Sequence, residues 1–172
     1  MKTKLLYIFT ILLLINCTSD KNSDEFIKKA TGRYFFNADE VINVNFNEGK
    51  LLLTWRNKNL APLKVNDSTF YVRELNEKLI FNTSKNKIEL AKKREHKDEI
   101  FVFNKLKEGE KTPSEYLLDN NYTAALNGYK LIRKKDSLSP IIRENTLNSL
   151  GYRYLRAKQY EKAIAVFKIN IE

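Results

Sequence analysis

The sequence predicts an α+β chain: a small antiparallel β module, a sandwich or a barrel, followed by paired helices. Three observations predict it. Between Thr31 and Leu106, eight short segments rich in β-branched and aromatic residues alternate with turn-forming stretches. At Pro113 that pattern stops, and apolar residues recur at helical spacing from there on. Strands first and helices afterwards separate the two kinds of element, where an alternating order would have meant a parallel sheet.

The chain opens with Lys2 and Lys4 ahead of an apolar run from Leu5 to Ile15. At roughly ten residues the run suits a secretory leader and falls short of a bilayer core of about 30 Å. It stops at Cys17, the sole cysteine, so no disulfide can form within the chain. The polar TSDKNSDE that follows cannot bury the thiol as a small core residue would be buried. The LINC segment resembles a bacterial lipobox, with Asn16 in place of the small residue common before the cysteine. That resemblance implies a signal peptide over residues 1–16 and acylation of Cys17. An uncleaved anchor and a plain secreted protein are the alternatives. Each buried methylene contributes about 0.8 kcal/mol, so several chains on one cysteine hold a domain on a membrane. Residues 17–30 read as a lipidated tether similar to those of Bacteroidota-type lipoproteins. The implied address is the cell envelope, on the outer membrane, facing the periplasm or the exterior.

The β module spans residues 31–107. Its expected strands are GRYFF, VINVNF, KLLLTW, APLKV, TFYVR, KLIFNT, KIELAK and EIFVFNKL, with NEGK, NKN, NDS and SKNK as turns. Val44 and Phe46 alternate with Asn43 and Asn45, as in a half-buried strand. Ile100 to Phe103 are apolar without a break, which predicts burial on both faces or a bulge. Trp55 and the other aromatic residues read as core.

The helical module spans residues 112–172. Thr112 is placed to cap a helix with Pro113 at its first position. A second helix is expected from Tyr122 to Lys134, a third from near Ser139 to Arg156, and a fourth from Gln159 onward. Leu147, Leu150, Gly151 and Tyr154 are followed by Tyr160, Ala163 and Phe167. This resembles a tetratricopeptide repeat, with small residues where two helices meet and large apolar residues around them. Leu147 replaces the usual Trp, and Asn170 stands where a small residue is typical. Tyr122, Ala125 and Tyr129 repeat the spacing of Tyr160, Ala163 and Phe167 at an offset of 38 residues, a degenerate upstream echo. The resemblance implies a partner-binding face on the first helices, including Asn145, Asn148 and Arg153. Ile164, Phe167, Ile169 and Ile171 remain apolar in the last helix. They call for packing on the β module, cover by a partner or a second copy, or further repeats; an incomplete array is the favoured reading.

Residues 31–106 carry a second resemblance. Gly32 and Tyr34, the Gly49 hairpin, Leu60 to Leu63 with Pro62, then Phe70 and Phe81 are similar to the small β domain that follows the catalytic domain in serine hydrolases related to class C β-lactamases. These are packing and turn residues, and the catalytic domain itself has no room in the chain. Ser84 and Lys87 have the spacing of a nucleophile and its lysine, but SKNK is a turn, where that spacing does not stack side chains as a helix does. Asp39 and Glu40 in NADEV read as a turn. His96 is the only histidine and lies in the charged KKREHKDE; Glu95, Asp98 and Glu99 beside it suit surface pairing better than a metal shell. DST at 67–69 and DSL at 136–138 resemble O-glycosylation sites of Bacteroidota and also suit ordinary turns. No cofactor, metal or catalytic residue is expected.

The formal charge is +10. Residues 17–112 hold 19 basic and 15 acidic groups and residues 113–172 hold 10 and 6, so each part nets +4. A nucleic-acid binder gathers its charge on one stripe; this chain spreads it, and nucleic acid is not expected as a partner. The sequence thus reads as a lipid-anchored, non-enzymatic envelope protein. Its expected partners are the membrane, through Cys17, and an unknown protein or peptide, or a second copy through the last helix. The alternative is an accessory or fragment of a β-lactamase-like hydrolase without its catalytic domain. A third reading makes the β module a barrel for a small apolar ligand.

Overall fold

The computed structural model describes residues 21–96, 100–135 and 144–171. Cys17, the leader and the DSL segment lie outside the described residues. The fold is α+β, with two antiparallel sheets followed by helices. No helix among the described residues is long and apolar enough to cross a membrane.

Within the span expected as a tether, Asp24–Ala30 forms helix α1. Ser23 caps it by accepting from the Phe26 N–H at 3.2 Å. Asp24 and Glu25 in its first turn and Lys28 and Lys29 in its last complement the helix dipole. These caps follow ordinary sequence rules, but the acidic and serine-rich composition masks them.

Strands β1 (Gly32–Phe35), β2 (Val41–Asn47), β3 (Lys50–Trp55) and β4 (Lys58–Leu60) form the first sheet in chain order. Strands β5 (Leu63–Lys64), β6 (Thr69–Val72), β7 (Glu77–Asn82), β8 (Lys87–Leu90) and β9 (Val102–Asn104) form the second, also in chain order. One bridge, Tyr34 to Lys105, links β1 to the segment just past β9. Two hairpins turn in two residues. Glu48 and Gly49 have φ of 50° and 80°, and Arg56 and Asn57 have φ of 50° and 59°, the left-handed pair whose twist matches the flanking strands. The second turn corrects a sequence expectation. The sequence marks Asn57–Asn59 wholly as a turn, yet two residues suffice, and Lys58 already pairs with Trp55. The expected strand over residues 99–106 shrinks to β9 for the opposite reason. Of its apolar run only Phe103 is buried, while Ile100, Phe101 and Val102 keep 36% or more of their surface exposed. The run is therefore not buried on both faces.

The buried side chains of both sheets form one cluster, including Tyr34, Val44, Leu53, Phe70, Val72 and Ile88. Helix α1 closes one end of it. Phe26 sets its ring 6.0 Å from Phe46, 6.0 Å from Phe70 and 5.8 Å from Phe81, where β2 and β7 end and β6 begins. Tyr34 fixes the helix end by donating its hydroxyl to the Ala30 carbonyl at 2.9 Å. At the other end the sheets leave a cavity of about 240 Å³, reaching Phe36, Leu53, Trp55, Leu79 and Phe103.

Phe26→Ala should lower the unfolding free energy by about 2–3 kcal/mol, since it deletes a ring lodged against three others. Urea titration reads this directly; a loss below about 0.5 kcal/mol would make α1 an ornament on the core.

Candidate functional site: the groove beneath the β1–β2 loop

After β9 the chain runs back along β1, where the Leu106 N–H donates to the Arg33 carbonyl at 2.8 Å. It then enters helix α2 (Pro113–Leu118). Thr112 accepts from the Glu115 N–H at 3.2 Å, and the Glu115 carboxylate accepts from the Thr112 N–H at 2.8 Å. This reciprocal capping box, with Pro113 at the first position, is why the helix starts there. Arg33 ties the box to the first sheet through an ion pair with Glu115 and a 2.9 Å bond to the Glu110 carbonyl.

Helices α3 (Tyr122–Lys135), α4 (Glu144–Arg156) and α5 (Tyr160–Ile171) complete the helical part. Helices α2 and α3 pair, and so do α4 and α5. Gly128 brings α3 against Pro113; a Cβ there would meet the proline ring at 2.9 Å. Gly151 does the same for α4, since a Cβ would lie 2.5 Å from the Phe167 ring. Leu147, Leu150 and Ala163 are buried, Gly151 is buried, and Tyr154 and Phe167 are half-buried. Tyr160 alone of that set is mostly exposed, at 57%. Upstream, Ala125 and Tyr129 are buried and Tyr122 is half-buried.

One residue of this helical core comes from the β part. Ala38, in the β1–β2 loop, is fully buried with Leu117, Ala125, Tyr129, Leu147 and Val166. Its neighbour Asp39 accepts from the Ser114 hydroxyl on α2 with one carboxylate oxygen and from the Thr146 hydroxyl on α4, at 3.0 Å, with the other. Ser114 also lies 3.1 Å from the Tyr129 hydroxyl. The Asn37 side chain holds the loop in shape by accepting from the Asp39 N–H at 2.8 Å, a local Asx bond.

Below this loop opens a groove of about 1040 Å³. Helix α4 supplies one wall with a stripe at helical spacing: Asn145, Ser149, Arg153 and Arg156. Exposed Leu118 of α2 and buried Leu150 supply apolar surface. Of the three residues expected on this face, Asn145 and Arg153 are there. Asn148 points instead to α5, accepting from the Asn170 amide at 3.0 Å. Asp39 is the residue that sequence reasoning missed. NADEV carried a turn signal, but its partners lie 75 and 107 residues away, and no local pattern announces them.

The groove sets hydroxyl, amide and cationic side chains beside apolar surface. Asp39 spends both oxygens on hydroxyls, and Arg153 and Arg156 pair with no carboxylate among the described residues. No group of metal-ligating residues is present among the described residues. Ser84 sits in the exposed β7–β8 turn, donating to Asn82 at 2.8 Å, and Lys87 lies on β8 paired with Glu89. Comparison with family models, with curated proteins and with solved structures finds no match for this chain.

Burial pushes the Tyr129 hydroxyl up to about 12, with the nearby Asp39 charge adding to the shift against the opposing Ser114 bond. Burial alone pushes Tyr34 to about 12. Both groups are raised above the unfolded value near 10, so their stabilisation is intact below pH 10 and is lost as pH climbs towards 12. Each tyrosine contributes up to about 3 kcal/mol to that loss. Urea unfolding at pH 9 to 12 should show the decline, and Tyr34→Phe should flatten part of it. A Tyr34→Phe profile as steep as the wild type would contradict the assignment.

Proposed function

We propose that this chain is a lipid-anchored, non-enzymatic protein of the cell envelope that holds a carboxylate-bearing peptide or protein segment against its helices. The observation that carries the reading is the groove, with two arginines on one helical stripe and apolar surface beside them. Arginine's planar fork suits carboxylates in either a side chain or a chain terminus, and a groove of about 1040 Å³ lies at the upper end of ligand-pocket sizes.

The helical pairs are built like tetratricopeptide repeats, α2 with α3 and α4 with α5. The glycine contacts at Gly128 and Gly151 and the burial of Ala125 and Ala163 support that likeness. The β part works as a small sandwich or partly open barrel that presents the Asp39 loop to the helices. Cys17 carries the acyl chains that hold the protein on the membrane, a reading supported by the lipobox-like leader and by its sole occurrence. Helix α5 leaves Ile164 and Ile171 at 53% and 83% exposure, which supports a second contact of the last helix with a partner or another copy.

Titrating a fluorescent acidic peptide library against the full chain tests the groove. The charge reversals Arg153→Glu and Arg156→Glu should each weaken the selected peptides at least tenfold, with the melting temperature unchanged, because both side chains are exposed. Equal binding by the double variant would sink the reading. In cells, labelled palmitate should enter the wild type and not Cys17→Ser; label in both would remove the anchor without touching the groove.

A further inference from the structure

The cavity between the sheets takes no part in the peptide reading. Interiors pack densely and seldom leave voids larger than a water molecule, yet here about 240 Å³ stands open. The opposite end of the same core is filled by Phe26, so the core is not simply loose. Of the ten lining side chains only Glu77 is charged, and it is paired with Lys93 at 2.8 Å; the Trp55 indole N–H is spent on Glu40. A buried water needs two to four polar partners, and this wall is hydrocarbon and aromatic ring almost throughout.

The mouth is different. Two cations stand against lining residues of the cavity. Arg56 lays its guanidinium 4.3 Å from the Trp55 ring centre and 5.7 Å from that of Phe36, and its Nε donates to Glu40 at 2.9 Å. Lys93 pairs with the lining residue Glu77 at 2.8 Å. Leu75, at 39% exposure, forms part of the lip.

We infer that this cavity binds the hydrocarbon tail of a single-chain carboxylate amphiphile, with its head beside Arg56 and Lys93. A cavity of about 150 Å³ accepts a six-carbon ring, so this one holds roughly eight to ten carbons. A peptide segment is excluded by the lining, which offers no partners for a buried backbone. The carboxylate follows from these cations: Arg56 spends its Nε on Glu40, and the terminal N–H groups of its guanidinium, held over two rings, match a carboxylate.

Trp55 is the only tryptophan and lines the cavity, so its emission reports on this site alone. Titrating the full chain with 10-bromodecanoate, below its micelle concentration, should quench Trp55 saturably with one site, and decanoate should reverse the quench. Leu79→Phe, which fills the space from β7, should weaken binding at least tenfold while leaving the urea midpoint level or higher. Should that variant fail to fold, Leu75→Glu at the exposed lip should weaken binding without touching the core. Decanoate should compete at least tenfold better than decanol. Quenching that rises linearly without saturation, or that saturates identically in a folded variant, would overturn the site. Equal competition by decanol would overturn the carboxylate.

Discussion

Five consecutive residues between β1 and β2 connect the apolar cavity, the helical core and the groove. Phe36 lines the apolar cavity, Ala38 is buried in the helical core, and Asp39 joins α2 to α4 above the groove. Glu40 accepts from the Trp55 indole at 3.2 Å and from Arg56 at 2.9 Å. The loop is short and internally bonded. Phe36 and Asn37 donate to the Glu40 carbonyl, and the Asn37 side chain receives the Asp39 N–H. A segment so constrained has little freedom to place its side chains differently, so the positions of cavity and groove are set together.

Its energetics rest on burial and on paying polar debts locally. Ala38 adds a small apolar contact, and its carbonyl accepts from the Ser114 N–H at 3.1 Å, one of the donors a helix start leaves without an internal partner. Asp39 would be costly beside a helical core without partners; two hydroxyls from two different helices satisfy it. Arg33 reinforces the junction from β1, through Glu115 and the Glu110 carbonyl. The two parts of the chain are thus joined by hydrogen bonds of stated geometry as well as by a linker.

The sequence made legible what depends on local rules. Strand alternation, the Thr112–Pro113 helix start and the small residues at helix crossings each follow from patterns within a few residues. What stayed hidden is non-local or masked. The α1 helix hid in a stretch whose polar composition reads as a tether, although Phe26 and Ala30 there both reach the core. Asp39 hid because its worth lies in hydroxyls far along the chain. The apolar run at Ile100–Phe103 misled because hydrophobicity alone does not say which face a neighbouring strand will cover. The groove arginines sit on a face that helical periodicity anticipated in part, with Asn148 turned aside to Asn170 by a hydrogen bond that periodicity cannot see.

The central claim is that the β1–β2 loop makes one cooperative unit of the strands and the helices. Urea unfolding of the full chain followed by two signals tests it: Trp55 emission for the β part and helical ellipticity for the rest. The account predicts coincident transitions in the wild type. In Asp39→Ala they should separate, with the helical transition moving to lower urea. Transitions already separate in the wild type, or an Asp39→Ala protein whose two curves still coincide at the wild-type midpoint, would contradict it.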